Sequence, residues 1–269
     1  MYKMICLDVD GTLIDSQLKI PESNRKMIKQ IADEGVPVVL ASARPAVGMG
    51  GLVEELGIHQ NPLVAFGGSY ITKGNEVLFQ KKISYECAIN IYLTASTVGC
   101  DHITVFSGDR WAVRAKDSIT EFEMGLLGIE PEFVGNLDNV LKYEFSKGVD
   151  KFLIAGEHSH LVTLKEKLDA LDAHIETVFS KPHYLEIHPE GVSKADAISI
   201  VAESLGISRE EVVACGDGFN DLPMLEWAGV GVAMGNAPLE VRKKANFITL
   251  SNDECGVAHV IEQLFIKSN

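Results

Sequence analysis

The chain has 269 residues, enough for one large domain or two modest ones. Apolar residues make up 46% and charged residues 23%, the composition of a soluble globular protein without extended disorder. A formal net charge of −14 excludes broad binding to nucleic acid or to anionic membranes, which need a basic surface, yet leaves room for a small anion held at a local positive site.

The first stretch alternates between strand and helix. MICLDV (4–9) is a continuous apolar run suited to a strand buried on both faces. PESNRKMIKQIADEG (21–35) puts Met27, Ile28, Ile31 and Ala32 on one helical stripe, with Ser23 as cap and Gly35 as stop. VPVVLAS (36–42) is a second buried strand, GGLVEELGI (50–58) a helix, and PLVAF (62–66) a third strand. This alternation predicts a wound parallel sheet.

The rhythm then changes. SYITKGNEVLFQKKI (69–83) reads as two strands around a Lys-Gly-Asn turn, and SYECAINIYLTASTVG (84–99) as a helix. HITVFSGDRWAVRA (102–115) is a hairpin turning at Ser-Gly-Asp-Arg, and a less regular stretch follows it. DKFLIAG (150–156) is a strand, HLVTLKEKLDALD (160–172) a helix, and IETVFS (175–180) and HYLEIHP (183–189) are strands. Hairpins mixed with helices indicate an inserted α+β unit.

Afterwards the wound pattern returns. SKADAISIVAESLGI (193–207) is a helix, VVACGDG (212–218) a strand with a polar end, and NDLPMLEWAG (220–229) a helix. VGVAMG (230–235), PLEVRKKAN (238–246), FITL (247–250) and GVAHVIEQLF (256–265) complete the set. The fold class is therefore α/β: a Rossmann-like parallel-sheet core over 1–82 and 184–269, with an inserted domain over 83–183.

In an open parallel sheet, ligands bind beyond the carboxyl ends of the strands, and polar clusters lie at those ends here. Strand one ends in Asp8-Val9-Asp10-Gly11-Thr12, strand two in Ser42-Ala43-Arg44-Pro45, and a returning strand in Gly216-Asp217-Gly218-Phe219-Asn220-Asp221. Lys194 opens a helix after Gly191-Val192-Ser193. Asp8, Asp10, Asp217 and Asp221 are expected to converge, and to repel one another unless a cation or protons intervene. Hard oxygens suit Mg²⁺, and Lys194 adds a second positive centre, so the site could accept a phosphate dianion. Singly, each cluster has a plainer reading as a turn, a cap or a solvated lysine; one site explains all of them together.

DVDGTL (8–13), the strand that leads into Ser42, GVSK (191–194) and GDGFNDLPML (216–225) resemble the four motifs of the haloacid dehalogenase-like phosphatases. The similarity is to the Cof-type branch, which carries a large α/β cap between its second and third motifs. The resemblance implies a Mg²⁺-dependent phosphatase of small phosphate monoesters, such as sugar phosphates, working through an aspartyl-phosphate. It implies Asp8 as nucleophile and Asp10 as general acid and base. Asp8, Asp217 and Asp221 would serve the metal, together with the backbone carbonyl of Asp10. Val9, Ser42, Ala43, Lys194 and Asn220 would bind phosphate or substrate, and Asp221 would support the metal or Lys194. Asp10 must be protonated for part of such a cycle, so its environment is expected to raise its pKa, and its place two residues from Asp8 is expected to put both side chains on one face of an extended segment. The chain departs from the family pattern at Ala43, at Gly67-Gly68-Ser69 and at Ala195, where altered rate or specificity is expected.

Two rivals stay open: a sugar phosphomutase of the same superfamily, and a sensor that binds a phosphorylated metabolite with little turnover. The remaining signals read as structure. GMGG (48–51) lacks the third glycine of a dinucleotide fingerprint, because Val53 stands there. His158 and His160 are read as surface residues, Tyr92, Phe106 and Trp111 as core, Arg110 as a solvated turn residue, and Lys81 and Lys82 as exposed. Cys6, Cys87, Cys100, Cys215 and Cys255 form no C-x-x-C pair and are read as reduced thiols. The opening MYKMICLDVDG is neither a signal peptide nor a membrane span. The expected setting is cytoplasmic, with a small phosphate ester as partner, no nucleic acid, no membrane, and a monomeric chain.

Overall fold

A computed structural model describes residues 2–171 and 173–267. The chain divides into two compact units: Met1–Arg44 with Met49–Phe79 and Val192–Asn269, and Pro45–Gly48 with Gln80–Gly191. The first unit begins with β1 (Met4–Leu7), α1 (Glu22–Asp33), β2 (Val38–Ala41), α2 (Gly50–Leu56), β3 (Pro62–Ala65) and β4 (Tyr70–Lys73), and ends near β5 (Glu76–Gln80). The second contains α3 (Tyr85–Val98), β6 (His102–Ser107), β7 (Arg110–Val113), α4 (Ser118–Leu127), β8 (Glu132–Phe133) and α5 (Leu137–Tyr143). It continues with β9 (Lys151–Ala155), α6 (His158–Asp169), β10 (Ile175–Lys181) and β11 (Tyr184–Pro189). The first unit resumes with α7 (Lys194–Ser204), β12 (Val212–Gly216), α8 (Leu222–Trp227), β13 (Val230–Ala233), α9 (Leu239–Arg242), β14 (Phe247–Ile248) and α10 (Gly256–Ile261).

The first unit is built on an eight-stranded sheet in the order β14-β13-β12-β1-β2-β3-β4-β5. The pairs from β14 to β3 are parallel, and β4 returns antiparallel against β3. β1 lies inside the sheet, and all its residues are buried, as its unbroken apolar run requires. Its register puts Leu7 opposite both Leu40 and Cys215. Three strands therefore end at one level, and the chain that follows each one emerges on the same edge. One core cluster joins Met4, Cys6, Val39, Val64, Ile198, Val201, Ala214 and Met224 from these strands and from α7 and α8. Cys6 and Cys215 are free thiols inside this core, and burial pushes both well above the usual thiol range.

The second unit has a six-stranded sheet, β10-β11-β9-β6-β7-β8. Alternate residues such as Val105, Phe152, Ile154, Leu185 and Ile187 share a core with α3, α5 and α6. The stretch read as less regular holds α4 and α5. Three other readings are corrected. Ser23 does not cap α1, which starts at Glu22 after Pro21 without a side-chain cap. Arg110 is no solvated turn residue: it bonds Glu132 and Glu144 and lies over the Phe145 ring. Lys82 is half-buried and donates to Ser107 Oγ, while exposed Lys81 donates to the Glu190 carbonyl. Phe106 and Trp111 are buried and stacked at 5.9 Å. His158 and His160 lie on the surface. The predicted end of the sixth helix, Asp172, lies outside the described residues.

Asp117 ties α4 to β6. Its Oδ1 accepts from the Thr120 amide (2.7 Å) and hydroxyl (2.8 Å), and its Oδ2 contacts buried His102 Nδ1 at 2.8 Å. Partial burial opposes its charge, but these bonds outweigh that and hold the carboxyl below its ordinary range. A carboxyl shifted this way adds stability above its unfolded pKa, and the gain is lost as pH falls through the folded value. Asp117→Ala is expected to cost about 1 kcal/mol at pH 7, the worth of an N-cap. In urea denaturation the gap to wild type should narrow near pH 3.5; a constant gap would exclude the carboxylate as its source.

Candidate active site

β1 stops at Leu7, and the chain turns at once. The amides of Thr12, Leu13 and Ile14 all donate to the Val9 carbonyl, and that of Leu13 also reaches the Asp8 carbonyl. Val9 is buried beneath this turn. Asp8, 5% exposed, is left at the strand end, while Asp10 is lifted to the surface with a half-exposed side chain. The segment carrying the two aspartates curls into a turn instead of continuing as a strand, and Asp10 still acts on Asp217 of the cluster. Arg44 grips Asp10 with two bonds, Nε to Oδ2 at 2.8 Å and Nη2 to Oδ1 at 2.6 Å.

The cluster at the sheet edge is thus three carboxylates rather than four. Asp8, Asp217 and Asp221 each offer an oxygen within 4.8 Å of the others. Lys194, 2% exposed, lies among them: its Nζ donates to Asp8 Oδ1 at 2.5 Å and to Asp221 Oδ1 at 2.6 Å. Lys194 is the first residue of α7, where the helix dipole disfavours a cation. Burial pushes it down as well, but Asp8 and Asp221 outweigh both and hold it above the ordinary lysine range. Ser193 caps the same helix, its Oγ accepting from the Asp196 amide at 3.1 Å. The second oxygen of Asp221 accepts from the amides of Asp217 (3.0 Å) and Gly218 (2.8 Å), so one buried side chain shapes the loop and anchors the lysine.

One cation does not balance three acids. Burial, reinforced by Asp221 and Asp217 and opposed by Lys194, pushes Asp8 up to about 8. Burial also pushes Asp217 up to about 6, with Asp221 and Asp10 adding and Thr12 and Lys194 opposing. A hard divalent cation is what this donor set lacks, so the residues fit one.

The turn fits the cluster closely. Gly11 has φ +80°, and a Cβ there would land on the Asp217 carboxylate, so only glycine serves. Thr12 donates its hydroxyl to Asp217 Oδ1 at 3.0 Å. Asn236 donates to the Gly11 carbonyl at 2.9 Å and makes a longer contact, 3.4 Å, with Asp217 Oδ2. Ser42 is 2% exposed and its Oγ accepts from the Arg44 amide at 3.1 Å, beside half-buried Ala43. The Gly67 amide donates to the Ser42 carbonyl, and the Phe66 amide to the Arg44 carbonyl. Gly67 has φ +70°, a conformation that asparagine also tolerates, and Gly68 presses on the Ser193 carbonyl where no Cβ would fit. Asn220 is exposed on the loop with Asp217 and Asp221. Thr12, Arg44 and Asn236 had no role assigned from sequence. Thr12 and Arg44 stand inside recognised clusters; the signal for Asn236 was a polar residue just beyond the carboxyl end of β13.

The sequence pattern of the haloacid dehalogenase-like hydrolases matches residues 5–261. The chain belongs to that family. A haloacid dehalogenase-like hydrolase from Bacteroides thetaiotaomicron has a solved structure that superposes with a TM-score of 0.92 at 34% identity, over 98% of this chain and 100% of that one. The 5-amino-6-(5-phospho-D-ribitylamino)uracil phosphatase YcsE of Bacillus subtilis is 32% identical, over 96% of this chain and 94% of its own. The phosphatase YwpJ of Bacillus subtilis is 30% identical, over 97% and 99%. Haloacid dehalogenase-like phosphatases generally use a divalent metal, and the acidic cluster here could bind one. Among the described residues no helix is long and apolar enough to cross a membrane.

The charge excess has a thermodynamic consequence. A carboxyl raised in the fold binds its proton more tightly folded than unfolded, so stability falls as pH rises from the unfolded value of about 3.9 through the folded one. In chelator, wild-type melting temperature is expected to drop between pH 5 and pH 8, and the advantage of Asp8→Asn over wild type to be larger at pH 8 than at pH 5. A gap equal at the two pH values would show that Asp8 carries no such cost.

Proposed function

We propose that this hydrolase is a Mg²⁺-dependent phosphatase of small phosphate monoesters, with Asp8 as its nucleophile. The observation that carries the reading is the buried Lys194 ammonium joined to both Asp8 and Asp221, with Asp217 alongside. A structural ion pair needs one acid. Three acids on one cation, at the carboxyl edge of a parallel sheet, make a site for an anion and a divalent cation together.

Asp8 attacks phosphorus, a new P–O bond forms, and the P–O bond to the leaving alcohol breaks. Asp10 gives its proton to the leaving oxygen. In the second half, Asp10 takes a proton from water, the water oxygen bonds to phosphorus, and the bond from phosphorus to Asp8 breaks. Inorganic phosphate leaves and Asp8 is restored. Lys194 fixes one oxygen of Asp8, and with it the direction of the other, and offsets charge as the dianion approaches. Ser42 and the backbone at Ala43 hold phosphate oxygens, and Asn220 contacts the substrate. Asp8, Asp217 and the Asp10 carbonyl would hold Mg²⁺, which would supply charge neutralisation for the phosphoryl group, while Asp221 supports Lys194.

The inserted unit, taken as 83–183 from the sequence, selects the leaving group. The substrate class is sugar or polyol phosphates and related metabolites. The relative YcsE supports this choice, since the ester it is named for is a phosphorylated ribityl chain.

Purified protein with Mg²⁺ and a panel of sugar, polyol and nucleoside monophosphates tests the reading through released phosphate. Chelator is expected to abolish release, and Asp8→Asn to lower it by at least about a thousandfold, as for a nucleophile acting within a catalytic unit. Asp10→Asn should cost about a hundredfold or more with alkyl esters, and less with an aryl ester whose leaving group needs no proton. Release that survives in folded Asp8→Asn would reject the nucleophile assignment. Isomerised ester in place of free phosphate would make the enzyme a mutase.

A further inference from the structure

The turn after Asp8 exposes carbonyls that no strand pairs. Three asparagines from three distant segments take them up. Asn236 Nδ2 donates to the Gly11 carbonyl at 2.9 Å, Asn24 Nδ2 to that of Leu13 at 3.3 Å, and Asn252 Nδ2 to that of Ile14 at 3.0 Å. The set is cross-linked: the Asn252 amide donates to Asn236 Oδ1 at 3.1 Å, and the Ala258 amide to Asn24 Oδ1 at 2.9 Å.

The three are not equivalent. Asn24 and Asn252 are buried, so their bonds are satisfied polar contacts of the core and their loss is a loss of fold. Asn236 is exposed, where a substitution has little effect on stability. Yet only Asn236 among them reaches the acidic cluster, through its 3.4 Å contact with Asp217 Oδ2. Thr12 holds the other oxygen, Oδ1, from the same turn that Asn236 grips at Gly11. The Asp217 carboxylate therefore lies between a hydroxyl and an amide. That amide is itself oriented, because its oxygen is tied to the Asn252 backbone. An exposed asparagine with both ends of its amide engaged, one of them against a carboxylate of the cluster, fits an orienting role better than a stabilising one.

We propose that Asn236 is a positioning residue for the divalent-cation site: it sets the Asp217 carboxylate against the Gly11 turn, and so sets the affinity of the cluster for Mg²⁺. The proposal rests on the reading of Asp8 and Asp217 as metal ligands. Outer partners that orient a ligating carboxylate typically govern 10- to 100-fold in metal affinity or activity.

The test is isothermal titration of Mg²⁺ into metal-free full-length wild type, Asn236→Ala, Asn236→Ser and Asp217→Asn, with melting of each in chelator. Wild type is expected to show saturable binding and Asp217→Asn to lose it. Asn236→Ala and Asn236→Ser should bind about tenfold or more weakly while melting within about a degree of wild type. Their phosphate release should recover toward the wild-type kcat at high Mg²⁺, with KM for the ester unchanged, which a merely structural defect would not show. Wild-type affinity in both Asn236 variants, with binding lost in Asp217→Asn, overturns the proposal and leaves the metal reading intact. No saturable binding to wild type overturns both. An affinity loss matched by an equal loss of melting temperature in chelator makes Asn236 a fold residue and overturns the proposal alone.

Discussion

One buried ammonium organises the first unit. Lys194 bridges Asp8 at the end of β1 and Asp221 in the loop beyond β12, and its own backbone starts α7. These pieces are 186 and 27 residues from it along the chain. They meet because β1 lies between β12 and β2 in register, so that strands from both ends of the sequence finish at one edge. The sheet supplies proximity without chemistry; the lysine turns proximity into a fixed geometry. A lysine buried this deeply is tolerable only when paired, and its two partners are themselves tolerable only because of it. Removing the lysine would leave two acids uncompensated in a dry place.

That arrangement is not the one stability alone would select. A single ion pair would satisfy the lysine, yet Asp217 is packed against the same centre and Gly11 is pared to a hydrogen to admit it. Burial and the neighbouring acids push the proton affinity of Asp8 and Asp217 up, in keeping with this crowding. Local frustration of this kind, held in place by a rigid sheet and by the asparagine cross-links, is a mark of a site arranged to be completed by a ligand.

The sheet was readable from sequence because parallel strands buried on both faces are written as unbroken apolar runs, and MICL, VVLA and VVACG are such runs. Three of the polar clusters could be expected together because each sits just past one of those runs, whereas Lys194 opens a helix. What escaped was set by contacts rather than by period. α4 turns Thr120, Glu123 and Leu127 inward and leaves Phe122 half-exposed, so its buried stripe is largely polar and mimics no amphipathic pattern. The turn after Asp8 was not legible, because it is made when the Val9 carbonyl gathers three amides and curls the chain. Asn236 carries no local signal of its partners, since Gly11 and Asp217 are 225 and 19 residues away.

The different fates of Asp8 and Asp10 follow from that curl. Adjacent carboxylates in one environment would share one tendency toward protons and compete for one cation. The turn instead sends Asp8 inward to a buried lysine and Asp10 outward to an arginine fork. For the proposed reaction this division has a use: the inward acid must stay fixed along the line of attack, while the outward one must exchange protons with solvent between the two half-reactions. The Arg44 fork holds the Asp10 carboxylate in one orientation. The Arg44 amide bonds Ser42 Oγ, and its carbonyl accepts from the Phe66 amide, so the arginine is rooted in the loop assigned to hold phosphate.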